Sequence, residues 1–173
     1  LGCTYQEIGE VVDYAHRSLD GTEEYIQHMA QRALEFQDTL GIDPKLTIDA
    51  VRNMANNLEE DGERVLDVMM AIRQETNFSG NEIATMFSEY ATDFGMLGYS
   101  IEDIGDKAIH GFRSGATSLS DVFSIYRTFR QNVEDYSDDM ILALGGMGLD
   151  PNDVRAAVIA GGESARQVTE KII

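Results

Sequence analysis

The sequence predicts an all-α protein, a compact multi-helix array of about eight to ten short helices joined by tight glycine corners. The chain has only two prolines, and each follows an aspartate, in Asp43-Pro44 and Asp150-Pro151. Proline suits the first turn of a helix, where its missing N–H has no partner to lose. Apolar residues recur at spacings of three and four, which is the period of an amphipathic helix.

Three short stretches have the pattern of a tight helix–helix corner: an apolar residue, a glycine, a second apolar residue and a capping residue. Glycine adopts the left-handed conformation past a helix end without a Cβ clash. The apolar residue then folds back, and the next side chain accepts hydrogen bonds from the first amides of a new helix. The predicted corner residues are Gly41 with Asp43, Gly98 with Ser100, and Gly148 with Asp150.

The residue one turn into each new helix predicts how firmly the corner is held. Ile104 and Val154 occupy this position after the second and third corners, where an apolar side chain packs against the corner residue. Thr47 occupies it after the first corner, so we expect a weaker contact there.

The first half of the chain divides into four predicted helices. Thr4 and Glu7 form a capping box before the first helix, and Gly21 ends it before Thr22 caps the second. The third follows the first corner, and an acidic stretch at residues 59–62 separates it from the fourth. The apolar stripes of these helices are Ile8, Val11, Val12, Ala15 and Leu19; Ile26, Met29, Ala33, Phe36 and Leu40; Ile48, Val51, Met54, Ala55 and Leu58; and Val65, Met69 and Ile72.

The second half contains the clearest periodicity, in a helix that begins with a predicted capping box at Ser79 and Glu82. Two further helices follow the second and third corners. Other boundaries are glycines at 115 and at 161–162, and caps at Ser118 or Ser120 and at Ser137. The stripes here are Ile83, Met86, Phe87, Tyr90, Phe94 and Leu97; Ile101, Ile104, Ala108 and Phe112; Val122, Phe123, Tyr126, Phe129 and Val133; Met140, Ile141 and Leu144; Val154, Ala157 and Val158; and Ala165, Val168 and Ile172.

The charge balance excludes some classes of partner. Thirty-one acidic residues stand against thirteen basic ones, which gives a net charge of −18. Binding to nucleic acid needs a basic face that neutralises phosphates, and adhesion to an anionic membrane needs the same. No run of eighteen apolar residues is present to span a membrane. We therefore expect no nucleic acid and no membrane as partners of this segment.

None of the motifs that could form a metal site has the residues or the spacing that such a site needs. Residues 57–62 resemble the start of a calcium loop, but Val68 stands where the loop needs a bidentate glutamate. The acidic run at residues 134–139 suits the first turn of a helix. The histidines, His16, His28 and His110, lie on separate predicted helices without metal-ligand spacing.

Glycine and cysteine patterns give no site either. Residues 145–148 are glycine-rich, but no strand precedes them and no Lys-Ser/Thr follows, so they do not form a phosphate loop. A GxxxG pair at Gly111 and Gly115 means little outside an apolar membrane span. Cys3 is the only cysteine, so no internal disulfide can form, and it has no local pattern of a nucleophile. We expect no catalytic residue, no cofactor and no metal.

A succession of short motifs in the second half carries a family resemblance. The motifs are residues 89–94 with 97–100, residues 111–112 with 115–116, the helix at 121–129, residues 143–144 with 148–150 and Val154, and residues 160–163 with Ala165. In order and spacing they resemble a segment of phage tail tape measure proteins, which recur in tailed phages and prophages. The first eighty residues are similar in pattern alone, through a helix, Leu40-Gly41-Ile42-Asp43 and a second helix.

The resemblance implies a structural protein of a phage tail. Tape measure proteins are long, mostly helical chains that lie inside the tail tube and set its length during virion assembly. It implies other tail proteins, tail assembly chaperones, and the tail tube or tip as partners. It also implies that the protein is in the bacterial cytoplasm before assembly and in the virion tail afterwards. Association of the chain with copies of itself is left as an alternative. The family offers no catalytic residue to transfer to this stretch.

Domain organisation and function leave alternatives. We expect one helical domain over residues 1–173, with subdomains at 1–78 and 79–173 as the alternative. The chain does not begin with Met and its last helix has no cap, so we expect a fragment of a longer polypeptide. The alternative functions are an acidic helical adaptor that binds a partner helix in a Met-lined groove, and a helical enzyme whose residues meet only in three dimensions.

Overall fold

A computed structural model describes residues 4–173, so the prediction for Cys3 lies outside the described residues. Regular structure in this part of the chain is entirely α-helical, which confirms the predicted fold class. Residues 4–173 form ten helices: α1 (Tyr5–Ser18), α2 (Glu23–Leu40), α3 (Pro44–Leu58), α4 (Gly62–Glu75), α5 (Gly80–Met96), α6 (Ile101–Arg113), α7 (Leu119–Asp135), α8 (Asp138–Gly146), α9 (Pro151–Ala160) and α10 (Gly162–Ile172).

Side-chain caps begin nine of the ten helices in the described residues, because a helix start leaves amides without internal partners. Pro44 and Pro151 lie in the first turns of α3 and α9, as their sequence positions predict. Gly161 begins α10 without a side-chain cap. The capping residues of α1 to α9 are, in order, Thr4, Thr22, Asp43, Asp61, Ser79, Ser100, Ser118, Ser137 and Asp150.

Two predicted boundary features are wrong in detail. Helix α1 ends at Ser18, before Gly21, because Leu19 is extended and buried in the core. Ser79 accepts from the amide of Glu82, but the reciprocal bond of a capping box is absent. The carboxylate of Glu82 instead accepts from the amide of Leu119 at 2.7 Å, in the first turn of α7. A side chain of α5 thus satisfies an amide of another helix.

Helix α5 lies at the centre of the fold and packs against α3, α4, α7 and α10. It has apolar residues on more than one side, and Phe87 and Phe94 are fully buried. Close approach of α3 depends on Gly95, where a Cβ would lie 2.5 Å from the carbonyl oxygen of Asn57. Gly80 likewise allows close packing at the start of α5, because the side chain of Ile42 occupies the position that a Cβ would take.

The first corner is held differently from the expectation based on Thr47. Ile42 is fully buried although the residue one turn into α3 is a threonine. The start of α5 covers Ile42 at Gly80, and the hydroxyl of Thr47 donates to the carbonyl of Asp43 at 3.2 Å. Tertiary packing therefore buries Ile42 without an apolar residue one turn into α3. Ile104 and Val154, at the same position after the second and third corners, are also buried.

Helices of residues 4–78 pack against helices of residues 79–173, the two parts that the sequence suggested as alternative subdomains. Helix α3 packs along α5, and α4 packs on α6, across the position between residues 78 and 79. Buried apolar residues form one cluster that extends from Val11 to Val158. None of the described helices combines the length and the apolar composition needed to cross a membrane.

Candidate functional site

The histidines of the chain lie apart from one another in the fold. His16 on α1 lies 3.3 Å from a carboxylate oxygen of Glu23, and His28 on α2 lies 2.7 Å from one of Glu63. His110 lines a surface groove on α6. Within residues 4–173, no group of three or more His, Cys, Asp or Glu side chains is placed to hold a metal ion. The two pairs are therefore polar links between neighbouring helices.

The stretch that resembles a calcium loop forms the corner between α3 and α4. Glu59 has a left-handed backbone with φ of 57° and caps the end of α3. The carboxylate of Asp61 accepts from the amide of Glu63 at 2.9 Å and begins α4. Glu60 lies 3.7 Å from Arg64. These side chains serve separate helix ends and do not converge on one point.

The three predicted corner glycines have nearly the same backbone conformation. Gly41, Gly98 and Gly148 have φ of 69°, 73° and 75°. In the second and third corners the chain turns back, and the amide of the next apolar residue donates to a carbonyl in the last helical turn, at 3.1 Å for Tyr99 and 3.0 Å for Leu149. The capping bonds follow at Asp43, Ser100 and Asp150, whose side chains accept from Lys45 at 2.8 Å, Asp103 at 3.2 Å and Asn152 at 2.8 Å.

The second corner differs from the others because another helix packs directly against its glycine. A Cβ on Gly98 would collide with the carbonyl group of Gly162, at the start of α10. The carboxylate of Asp103 also lies 3.2 Å from Arg166 of α10. At Gly41 and Gly148, no described atom beyond the adjacent chain lies within 4 Å of a Cβ position. The second corner therefore serves as a docking point for the last helix.

A buried aspartate links α5 to α7. Asp93 is 4% exposed, and its two carboxylate oxygens accept from the Nε atoms of Arg127 at 2.7 Å and Arg130 at 2.8 Å. Arg130 also pairs with Glu134 at 2.5 Å, and the guanidinium of Arg127 lies 3.8 Å from the ring centre of Tyr90. Burial is tolerable because each oxygen of Asp93 has a charged donor. No pattern in the sequence indicated that Arg127 and Arg130 are the partners of Asp93.

A second polar cluster links α6 to α10. The amino group of Lys107 donates to Glu170 at 2.8 Å and lies 4.8 Å and 5.4 Å from the ring centres of Tyr99 and Tyr126. Burial raises the pKa of both tyrosines. Burial alone would lower the pKa of Lys107, but the bond to Glu170 and the surrounding charges raise it overall. The same bond lowers the pKa of Glu170.

An open groove of about 840 Å³ lies beside this cluster, between α6, α7 and α10. Its wall carries both signs of charge, including Asp106, His110 and Arg166, next to the apolar side chains of Val122 and Ile125. Acidic and basic side chains are mixed along the wall. The hydroxyl of Ser114 lies 3.5 Å from Nε2 of His110, but both residues are exposed at the end of α6, and no carboxylate of the described residues pairs with His110. The groove therefore has a serine beside a base, without the third group that orients the base in a catalytic triad.

The GxxxG pair has a packing role that the sequence analysis did not foresee. A Cβ on Gly111 would collide with the side chain of Val122, so the glycine allows α6 to approach α7 closely. Gly115 has φ of 100° and no described atom near its Cβ position, beyond the end of α6. The two glycines thus serve different purposes, close packing and chain reversal.

Comparison with models of known protein families gives a match over the whole chain. A family model described as phage-related minor tail protein matches residues 1–173. Neither the curated proteins nor the solved structures that were compared with the chain include a match. Because the family model covers the whole sequence, the chain belongs to the family of phage-related minor tail proteins.

Proposed function

We propose that this chain is a segment of a tape measure protein that takes part in tail assembly and sets tail length, and that it is not an enzyme. The observation that carries the proposal is the match of the whole chain to the minor tail protein family. The order of motifs after Glu82 resembles tape measure segments, and this resemblance supports the tape measure among the roles of tail proteins. On this proposal the chain resides in the virion tail and contacts tail proteins and assembly chaperones.

The use of buried polar groups supports a structural role. Among residues 4–173, the buried polar or charged residues are Thr47, Thr76, Asp93 and Thr169. The three threonine hydroxyls donate to carbonyls one turn earlier, at 2.7 to 3.2 Å, and Asp93 is held by two arginines. Catalytic groups are instead held ready for a substrate in a pocket. These four buried side chains therefore make their polar contacts within the fold.

The acidic surface also fits a protein that shares a tube with DNA. A net charge of −18 opposes contact with phosphates. On this proposal, a chain of this charge leaves the path of the genome free of strong attachment.

The adaptor alternative has one observation in its favour, exposed apolar side chains on α8 and the corner after it. The Met-lined groove on which it was based is not supported by the packing. Met29, Met54 and Met69 are buried in the core, whereas Met96 and Met147 are exposed on different corners. An adaptor role is therefore the second candidate, with a different surface.

Tail length tests the proposal. An in-frame deletion of these 173 residues from the parent phage gene should shorten the tail, by up to roughly 260 Å if the segment is a fully extended helix at 1.5 Å per residue. A tandem duplication of the segment is the matched control and should lengthen the tail by the same amount.

The measurement is tail length in electron micrographs of purified virions. A change much below the extended-helix limit would mean that the segment stays folded as the packed helices described above. Infectious virions with unchanged tail length in both variants would show that the segment is not part of the ruler, and the adaptor candidate would then be preferred.

A further inference from the structure

An apolar stretch of surface lies on α8 and the third corner. Residues 140–149 are the longest stretch of the sequence without a charged residue or histidine. Leu144 is buried, but Leu142 is 73% exposed and Met147 is 58% exposed. Large exposed apolar side chains grouped in this way mark interaction surfaces. In a chain of this acidity, such a stretch at the surface calls for an explanation beyond folding.

These exposed side chains form a continuous ridge. Leu142, Ala143, Gly146 and Met147 are all exposed, and their spacing of one, four and five places them on one side of the helix. We call these four residues the α8 ridge. Small residues at 143 and 146 leave room between the two large ones, so the ridge can receive a side chain of a partner.

A pocket adjoins the ridge at its C-terminal end. A cavity of about 240 Å³ lies beside the corner, with Leu149, Val154 and Val168 in its wall. Asp150 and Asp153 also line it, together with Lys171. Gly148, the neighbour of Met147, is part of the same wall, so the ridge and the pocket adjoin.

Acidic residues stand at both ends of this apolar surface. Asp138 and Asp139 lie in the first turn of α8 and are exposed, and Asp153 is exposed beside the pocket. None of these three forms an ion pair with the residues from 4 to 173. They favour their own helix starts, and their outer oxygens remain available to a cation brought by a partner.

We propose that the α8 ridge and the adjoining pocket bind an apolar helix of another protein, with Lys or Arg near both ends of that helix. Apolar side chains one turn apart on the partner match the spacing of the ridge, and its basic ends meet Asp138, Asp139 and Asp153. A second copy of this chain does not fit as well. It would bring two chains of −18 together and place aspartates against aspartates. The proposal stands independently of any role in setting tail length.

Two labelled peptides test this proposal on the chain of residues 1–173. Both have the same helical leucine pattern, one with lysines at each end and the other with glutamates. Fluorescence anisotropy at physiological salt should show binding of the lysine-ended peptide, with an affinity roughly ten-fold or more above that of the glutamate-ended one. Leu142→Asp should reduce the affinity for the lysine-ended peptide by a similar factor.

Matched variants separate this surface from general attraction to an acidic protein. Ile125→Asp changes an apolar residue that is 51% exposed on α7, outside the ridge, and should leave the affinity unchanged. Asp153→Asn should weaken binding and reduce its salt dependence. Circular dichroism verifies that Leu142→Asp is folded, and Leu142→Ala provides a milder variant with the same expected direction.

Three results would overturn the proposal. One is equal binding of both peptides or of neither. Another is an affinity that Leu142→Asp and Ile125→Asp lower to the same extent. The last is self-association of the chain in analytical ultracentrifugation that Leu142→Asp abolishes, because a second copy would then cover the ridge.

Discussion

Gly98 and Gly148 show how much the surroundings of one residue matter. Their backbone conformations are nearly identical, with φ of 73° and 75°. A left-handed backbone costs an L-residue other than glycine about 1 kcal/mol. The space beside them differs, since α10 covers Gly98 and no described atom beyond the adjacent chain lies near the Cβ position of Gly148.

Alanine at these two positions should therefore have unequal effects. We expect Gly148→Ala to lower the free energy of unfolding by about 1 kcal/mol, from backbone strain alone. Gly98→Ala should lower it by roughly 2–4 kcal/mol, because the collision with Gly162 adds an overpacking cost. Urea denaturation of both variants gives the comparison. Equal losses would show that α10 does not hold the second corner.

Among residues 4–173, Asp93 is the charged residue that is buried in the fold. Asp93→Asn keeps the size of the side chain but leaves Arg127 and Arg130 without their shared carboxylate. We expect a loss of about 2–3 kcal/mol, below the 3–5 kcal/mol of a fully buried pair because the side chain of Arg127 is 33% exposed.

The control for Asp93 is an ion pair at the surface. Glu75 pairs with Arg113 at 2.7 Å, and both side chains are more than half exposed. Glu75→Gln should change the free energy of unfolding by less than about 1 kcal/mol. Losses of the same size in the two variants, measured by urea denaturation, would contradict a special role for Asp93.

At the scale of elements, local spacing predicted the helix starts and tertiary contact decided the exceptions. Thr22 and Ser100 are caps because each lies three residues before the amide that it accepts from, and such a bond needs no other helix. Glu82 follows the same local rule but is drawn to Leu119, which is 37 residues away in sequence. A single sequence contains no spacing that links two such positions.

The polar clusters escaped prediction for the same reason. Asp93 lies 34 and 37 residues from its two arginines. Arg127 and Arg130, three residues apart beside the apolar stripe of α7, were the available sign of a buried partner. The groove between α6, α7 and α10 depends on how the last helix docks, and no local pattern fixes that.

The docking of α10 should depend on pH. The bond from Lys107 lowers the pKa of Glu170 below its ordinary 4.5. A carboxylate with a lower pKa in the folded state contributes stability above its unfolded pKa, and this contribution is lost as the pH falls through the folded value. The difference in free energy of unfolding between the wild type and Glu170→Gln should therefore be present at pH 7 and shrink from about pH 5 to pH 3.

Urea denaturation at several pH values tests this difference. Glu89→Gln is the control, because Glu89 is exposed on α5 and its carboxylate makes no ion pair with the described residues. The difference between wild type and this control should stay nearly constant over the same range. A pH-independent effect of Glu170→Gln would mean that its carboxylate does not hold α10.

At the scale of the whole molecule, packing and charge act in opposite directions. We propose that residues 1–173 form one domain, because α3 packs on α5 across the position where two subdomains would separate. A net charge of −18 opposes this compact state through self-repulsion. The composition gives the net charge directly and predicts the helical class. The choice between one domain and two depends on contacts between distant helices, which the composition does not contain.

The same charge leads to a prediction about DNA. At physiological salt, neither duplex nor single-stranded DNA should be retarded by the chain in a gel, because a net charge of −18 repels phosphates and opposes the counterion release that drives DNA binding. This prediction depends on the excess of acidic over basic residues and not on the family to which the chain belongs. Micromolar binding that weakens steeply with added salt would contradict this expectation.

The close fit of Gly162 against Gly98 has a mechanical consequence. Tension applied at the C-terminal side of α10 acts first on the packing of α10 against α9, on this fit and on two partly exposed ion pairs, Arg166 with Asp103 and Lys107 with Glu170. We expect the buried contact between α3 and α5 to bear the tension only after α10 has separated from the rest of the fold. The chain would then lengthen in stages under a steady pull, with the last helix released at low force and the central pair at the highest.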